Sequence, residues 1–177
     1  LELNELPQII GADDRMTRRR CQMLFNRLTP TTVALSSLEA AELVKLVDNT
    51  YRDVSFGFAN EVAKLCSEAG LSAAEIIRAG KLGYPRTNVP MPGPVGGPCL
   101  EKDPHILVES ARRFGVEMPV TRAARQTNEV QPKQIAAMAR AASRSIIQRF
   151  RCSAWRSRAC PRRTTFAAVW HSLSTRR

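Results

Sequence analysis

No run of about 18 apolar residues, the length a membrane-crossing helix needs, occurs anywhere in this 177-residue chain. A transmembrane span is therefore not expected. No secretory leader can be read at the N-terminus, and the first residue, Leu1, suggests a chain that begins mid-gene. There is no CxxC pair and no cluster of histidine and cysteine at metal-ligand spacing, which argues against a zinc site. Five cysteines, an odd number, do not suit a disulfide framework, and a reducing cytoplasm is the expected compartment. Aromatic residues make up only 6% of the chain, and no helix-turn-helix, zinc-finger or base-stacking pattern accompanies them.

Charge of one sign is also missing from one region. Between Met138 and Arg177 there are ten arginines, no lysine and no acidic residue, whereas the residues before Met138 carry 17 basic and 16 acidic side chains. The net charge of +11 is thus a property of the tail and not of the body. A basic nucleic-acid binder would have to rest on that tail alone, and specific nucleic-acid binding is not expected.

What is present is helical pattern. From Ser36 to Gly70 the sequence reads as one long helix, with Ser36 and Glu39 at capping-box spacing and Gly70 suited to a left-handed C-terminal position. Leu43, Val47, Tyr51, Val54, Phe58, Val62 and Leu65 recur at steps of three and four, forming one stripe that must be buried. Such a helix would be roughly 50 Å long, more than a small domain needs to cross its core, so part of it is expected to pack against another subunit. Ser72 and Glu75 repeat the capping-box spacing and start a short helix to about Ala79, after which Gly80 and Gly83 break the pattern. From Tyr84 to Pro98 there are five prolines and three glycines in 15 residues, which makes this stretch a loop. Helical periodicity returns from Cys99 to Arg113, and two further helices are expected over 119–129 and 132–147. Residues 1–35 differ. Two short β-prone runs, 7–11 and 31–35, flank a helical stretch from about Asp14 to Leu28, as in the last βαβ unit of a larger sheet.

One segment has the look of chemistry. Gly96-Gly97-Pro98-Cys99-Leu100-Glu101-Lys102-Asp103 sets a cysteine after a glycine turn and, on this reading, at the start of a helix. Backbone N–H groups there and the adjacent Lys102 would favour a thiolate, and the glycines would let a substrate approach the main chain. A small buried cysteine beside a turn is the plainer reading, and it is kept for Cys21 and Cys66, which lie within helical patterns.

The Gly-Gly-x-Cys-x-x-Lys-Asp pattern resembles the signature of the UDP-glucose/GDP-mannose dehydrogenase family. The run from Ala41 to Tyr51, continuing to Asn60-Glu61, is similar to the long central helix of those enzymes. The resemblance extends from about Glu5 to Arg140. It implies a mainly α fold: a helical central dimerisation and catalytic domain over 36–137, preceded over 1–35 by the end of an α/β Rossmann-like NAD-binding domain. It further implies a cytoplasmic enzyme that oxidises the primary alcohol of a UDP-hexose or UDP-N-acetylhexosamine to a uronate, releasing two NADH. By resemblance Cys99 is the nucleophile, Lys45 and Asn49 stabilise the oxyanion, and Asp103 assists water or proton movement. Lys45 and Asn49, four residues apart, share one helix face, which agrees with that assignment. The resemblance also implies that Arg86 reaches the sugar bound by a neighbouring subunit and that Gly96, Gly97 and Lys102 line the substrate pocket, in a homodimer formed through the long helix. Asn60 and Glu61 are expected to anchor the helix, and His105 and His171 to be surface residues without partners.

The chain departs from the family in two places. The glycine-rich GxGxxG turn that cradles the NAD pyrophosphate is missing, so the NAD site is expected largely outside this chain. Over 138–177 the UDP-binding domain is replaced by arginine-rich text, expected to be disordered or frameshifted. Shifting permitted codons for Cys152 to Val169 by one nucleotide yields LGLAFKGVPETDDLRGS, similar to the family's third-domain motif. The expected role is therefore a fragment of a nucleotide-sugar 6-dehydrogenase, inactive alone. A non-catalytic helical dimerisation module and a basic nucleic-acid binder are the rivals. The sugar stays open: Pro92-Gly93 and Asp103-Pro104 look more like the N-acetylhexosamine branch, whereas Lys102-Asp103 is also at home among UDP-glucose enzymes.

Overall fold

A computed structural model describes residues 2–156, with side chains described over 4–144. The chain divides into two compact units, Leu1–Lys133 and Gln134–Arg177. Of the segment 138–177, residues 157–177, His171 among them, lie outside the described residues.

The first unit opens with a short helix, α1 (Glu2–Glu5), and a βαβ unit: β1 (Gln8–Gly11), α2 (Arg15–Phe25) and β2 (Thr32–Leu35). The strands pair in parallel with Gln8 opposite Thr32 and Gly11 opposite Leu35. Parallel strands need a crossover, and α2 supplies it. Asp14 caps α2, its side chain accepting from the Thr17 N–H at 2.8 Å, and the helix stops at Phe25, earlier than the expected Leu28. No residue of α2 is buried, and Ile9 and Val33 of the strands are 43% and 42% exposed. The outer faces of this βαβ segment are therefore open to solvent.

The rest is helical: α3 (Leu38–Glu68), α4 (Ala73–Lys81), α5 (Asp103–Arg113) and α6 (Pro119–Arg156). The mainly α architecture with one long helix is as expected; several details are not. The N-cap of α3 is Ser37, whose Oγ accepts from the Ala40 N–H at 3.1 Å. Ser36 is excluded because its carbonyl accepts from the Arg18 guanidinium at 2.7 Å, which ties it to the preceding βαβ unit. At the other end Gly70 takes φ +69°, and the Leu71 N–H reaches back to the Cys66 carbonyl at 2.8 Å, a Schellman closure. Gly80 lies within α4 and does not end it; the break comes at Gly83.

Residues 119–147 do not form two helices. One helix, α6, runs through Pro132. The proline lacks the N–H that would reach the Asn128 carbonyl, but the side chains of Asn128 and Gln131, both buried, fix the turn before it.

The largest correction concerns the stripe on α3. Leu43, Val47, Tyr51, Phe58 and Leu65 are between 46% and 68% exposed, not buried. The face of α3 turned inward carries Thr50, Asp53, Gly57, Ala59, Asn60 and Cys66. At Gly57 the backbone of α3 comes so close to α6 that a Cβ there would lie 2.8 Å from the Ala124 Cβ. Small and polar residues line this contact because two helices meet across it at backbone range.

Candidate active site

The loop over 84–98 carries no regular structure, and Cys99 follows it in a hydrogen-bonded turn. Helix α5 begins only at Asp103, so Cys99 is not at a helix start. Its carbonyl, and not its sulfur, receives the nearest amides: Lys102 N–H at 3.3 Å and Asp103 N–H at 2.9 Å. Pro104 at the second helical position is why the helix starts here. Gly97, with φ +102°, makes the bend into the turn in a region of backbone space open to glycine. Cys99 itself is half-buried.

Two of the expected site residues meet. The Asn49 Nδ2 donates to Asp103 Oδ2 at 2.7 Å, joining the middle of α3 to the first residue of α5. Asp103 is 1% exposed, so its carboxylate is held by this contact away from bulk water. An amide nitrogen has two hydrogens, and Asn49 keeps its second for another acceptor. Lys45, one turn earlier on α3, is exposed, as are Arg86, Gly96, Gly97 and Lys102. Arg86 lines an open groove of about 380 Å³ together with Tyr51, Val54 and Phe58 of the exposed stripe.

Beneath the cysteine turn lies a set of residues that the sequence reading passed over. Arg125 Nη1 donates to Asp53 Oδ1 at 2.7 Å and to the Leu100 carbonyl at 2.8 Å. Asn128 Nδ2 donates to Asp53 Oδ1 and to the Asp53 carbonyl, each at 2.8 Å. Both charged partners are buried, with side chains 4% and 0% exposed. Burial pushes the Asp53 carboxyl above its ordinary range, against the opposing pull of the Asn128 hydrogen bond and the Arg125 charge. Of the two residues expected to anchor the long helix, Asn60 is buried and bonds Asn128 and Gln131 of α6 as well as the Gly93 backbone, whereas Glu61 is exposed. The signal that could have revealed the set is the spacing of Arg125, Asn128 and Gln131, three polar side chains at three-residue steps on one helix face. His105 departs from expectation: its Nε2 lies 3.0 Å from Glu129 Oε1, so it has a partner although it is exposed.

Among the described residues no group of three or more histidine, cysteine or acidic side chains could hold a metal ion. No helix among them is long and apolar enough to cross a membrane. Among the described residues the β1–α2 connection Gly11-Ala12-Asp13-Asp14 lacks a GxGxxG turn, and its carboxylates are engaged locally, Asp14 capping α2 and Asp13 Oδ1 accepting from the Leu38 N–H at 3.4 Å.

Residues 39–130 match the UDP-glucose/GDP-mannose dehydrogenase family, central domain. The chain belongs to this family. Among relatives in it, the UDP-N-acetyl-D-mannosamine dehydrogenase of Methanocaldococcus jannaschii is 35% identical over 132 residues, which is 74% of this chain and 30% of that protein. An NDP-N-acetyl-D-galactosaminuronic acid dehydrogenase of Ralstonia solanacearum is 33% identical over 135 residues, 76% of this chain and 31% of that one. The solved structure of the UDP-D-ManNAc dehydrogenase from Pyrococcus horikoshii superposes with a TM-score of 0.75 at 32% identity, covering 82% of this chain and 34% of that one. The chain thus spans about a third of the length of these dehydrogenases.

Proposed function

We propose that this chain is the catalytic middle of an NAD-dependent nucleotide-sugar 6-dehydrogenase that converts a UDP-hexose or UDP-N-acetylhexosamine to its uronate for polysaccharide biosynthesis. NAD, when bound by chain outside these residues, is the acceptor in both oxidations, so that two NADH leave per uronate. The observation that carries the reading is the 2.7 Å bond from Asn49 to Asp103, because it joins the long helix to the turn that holds Cys99.

The residues of this chain have the following work. The Cys99 thiolate adds to the carbonyl carbon of the C6 aldehyde, forming a C–S bond and an oxyanion. Asn49 donates its free amide hydrogen to that oxygen, and Lys45, on the same helix face, adds a positive charge. After the second oxidation the sugar is held as a thioester on Cys99. Water then attacks its carbonyl carbon, Asp103 takes up the water's proton, and the C–S bond breaks to return the thiolate. Gly96, Gly97 and Lys102 border the sugar. Arg86 reaches the sugar of a neighbouring subunit.

That last role needs a homodimer, and the exposed stripe on α3 supports one. Five large apolar side chains on a single face of a 31-residue helix form a surface that a lone chain leaves to water. The domain organisation follows: 1–35 is the end of an NAD-binding domain, 36–137 the dimerising catalytic domain, and 138–177 text that stands where the UDP-binding domain belongs.

The test is to express the chain with its flanking coding sequence read in the restored frame, and to measure NADH against UDP-sugar consumed. A ratio of two supports the reading. A complete polypeptide that binds no NAD would remove it.

A further inference from the structure

The segment from Gly93 to Leu100 contains the glycine turn and Cys99, and both of its ends are tied to one buried set of side chains. At the first end Asn60 grips the backbone of Gly93 twice: its Nδ2 donates to the Gly93 carbonyl at 3.1 Å, and its Oδ1 accepts from the Gly93 N–H at 2.9 Å. The same Nδ2 donates to Asn128 Oδ1 at 2.9 Å, and the same Oδ1 accepts from Gln131 Nε2 at 2.9 Å. All four hydrogen-bonding positions of Asn60 are therefore filled. Asn128 continues to Asp53 at 2.8 Å, Asp53 accepts from Arg125 at 2.7 Å, and Arg125 closes on the Leu100 carbonyl at 2.8 Å. The path from Gly93 to Leu100 through side chains is unbroken.

We infer that Asn60, Asn128, Asp53 and Arg125 act as one clamp that positions Cys99 by holding the loop at Gly93 and at Leu100 together. None of the four needs to touch substrate. They are positioning residues, and the inference rests on the reading of Cys99 as the reacting thiol. The physical case is that a proline- and glycine-rich loop has almost no regular backbone bonding to fix it, so its geometry must come from side chains beneath it. Side-chain networks of this kind are also high-stakes in a dry interior. Asn60, Asp53, Asn128 and Arg125 are all 4% exposed or less, so a broken link leaves buried polar groups unpaired. Asn128 is the middle link, and its hydrogen bonds go to Asn60 and Asp53 and not to Gly93 or Leu100.

The middle link provides the test, made on the 177-residue chain without substrate, so that its result is independent of catalysis. In Asn128→Leu, amide hydrogen exchange should rise at both ends, at Gly93 and at Lys102 and Asp103 in the cysteine turn, by at least about tenfold. The Leu71 amide at the end of α3 and the β1–β2 amides should keep their wild-type rates. Alkylation of Cys99 by iodoacetamide, measured relative to Cys21, should rise at least about threefold as the half-buried thiol becomes more accessible. Because Asn128→Leu is a severe change, Gln131→Leu at the edge of the network serves as a milder variant, with both ends shifted in the same direction by a smaller factor. Faster exchange at one end only would mean two separate anchors. A uniform rise across all amides would mean a general contribution to stability, and a loosened turn with unchanged Cys99 alkylation would mean no positioning. Any of these results overturns the clamp.

Discussion

The two faces of α3 invert the usual pattern of a helix. Its inward face is built from Thr50, Asp53, Gly57 and Asn60, all buried, while Leu43, Val47, Tyr51, Phe58 and Leu65 stand out in water. The apolar stripe is thus the face of α3 that this chain leaves exposed. The polar side chains of the other face are bound inward, Asp53 to Arg125 and Asn60 to the Gly93 backbone. The first face is free to meet a second copy, and the second holds up the loop that carries Cys99.

The inner face should be the costly one to disturb. Asp53→Ala leaves the Arg125 charge buried without its counter-charge, and removing one partner of a buried pair costs about 3–5 kcal/mol. Denaturant unfolding of the chain checks this, and a loss under about 1 kcal/mol would show that the pair is not buried in solution. Gly57→Val is next. Its side chain would begin 2.8 Å from the Ala124 Cβ, so α3 and α6 must separate, at about 1–3 kcal/mol or more. The same measurement applies, and an unchanged midpoint would contradict the close helix contact.

Substitutions on the outer face should act on assembly and leave the fold alone. Phe58 is 55% exposed, so Phe58→Asp should change the stability of the monomer by no more than about 0.5 kcal/mol while abolishing the dimer in sedimentation at tens of micromolar. A wild-type chain that sediments as a monomer regardless of concentration would break the comparison on this side.

A smaller effect follows from pH. The Asp53 carboxyl is raised above its unfolded value of about 3.9. Between that value and the raised one the folded chain holds more proton than the unfolded chain. This contribution to stability is therefore fully present below the unfolded pKa and is lost as pH rises through the folded one. Asp53→Asn should remove that slope from the pH dependence of the thermal midpoint. An identical slope in both proteins would assign it to other groups.

Much of the fold was legible in the sequence because its signals are local. Capping serines, Gly70, the proline-rich loop and the β-prone runs each act within a few residues, and the local errors were a one-residue shift at Ser37, an early end of α2 at Phe25, a helix that continues through Gly80 and a helix that survives Pro132. The parts that were not legible depend on contacts far apart in the chain. Whether Leu43 or Asp53 faces inward is decided by α5 and α6, which begin only at Asp103 and Pro119, and helical spacing marks both faces equally well. The helix start at Cys99 failed for a related reason. Pro104 fixes the first turn of α5 at Asp103 and leaves the cysteine in the preceding turn, beside Leu100, whose carbonyl accepts from Arg125.

The central claim is that Cys99 is the reacting thiol of a two-step oxidation, and one measurement addresses it directly. In the complete polypeptide, Cys99→Ser should stop the second oxidation, because an alkoxide leaves a tetrahedral centre less readily than a thiolate. NADH per sugar should then fall from two to one or below, with aldehyde-level or trapped intermediates accumulating. Uronate formed by the serine variant at the wild-type rate, with two NADH released, would contradict the account.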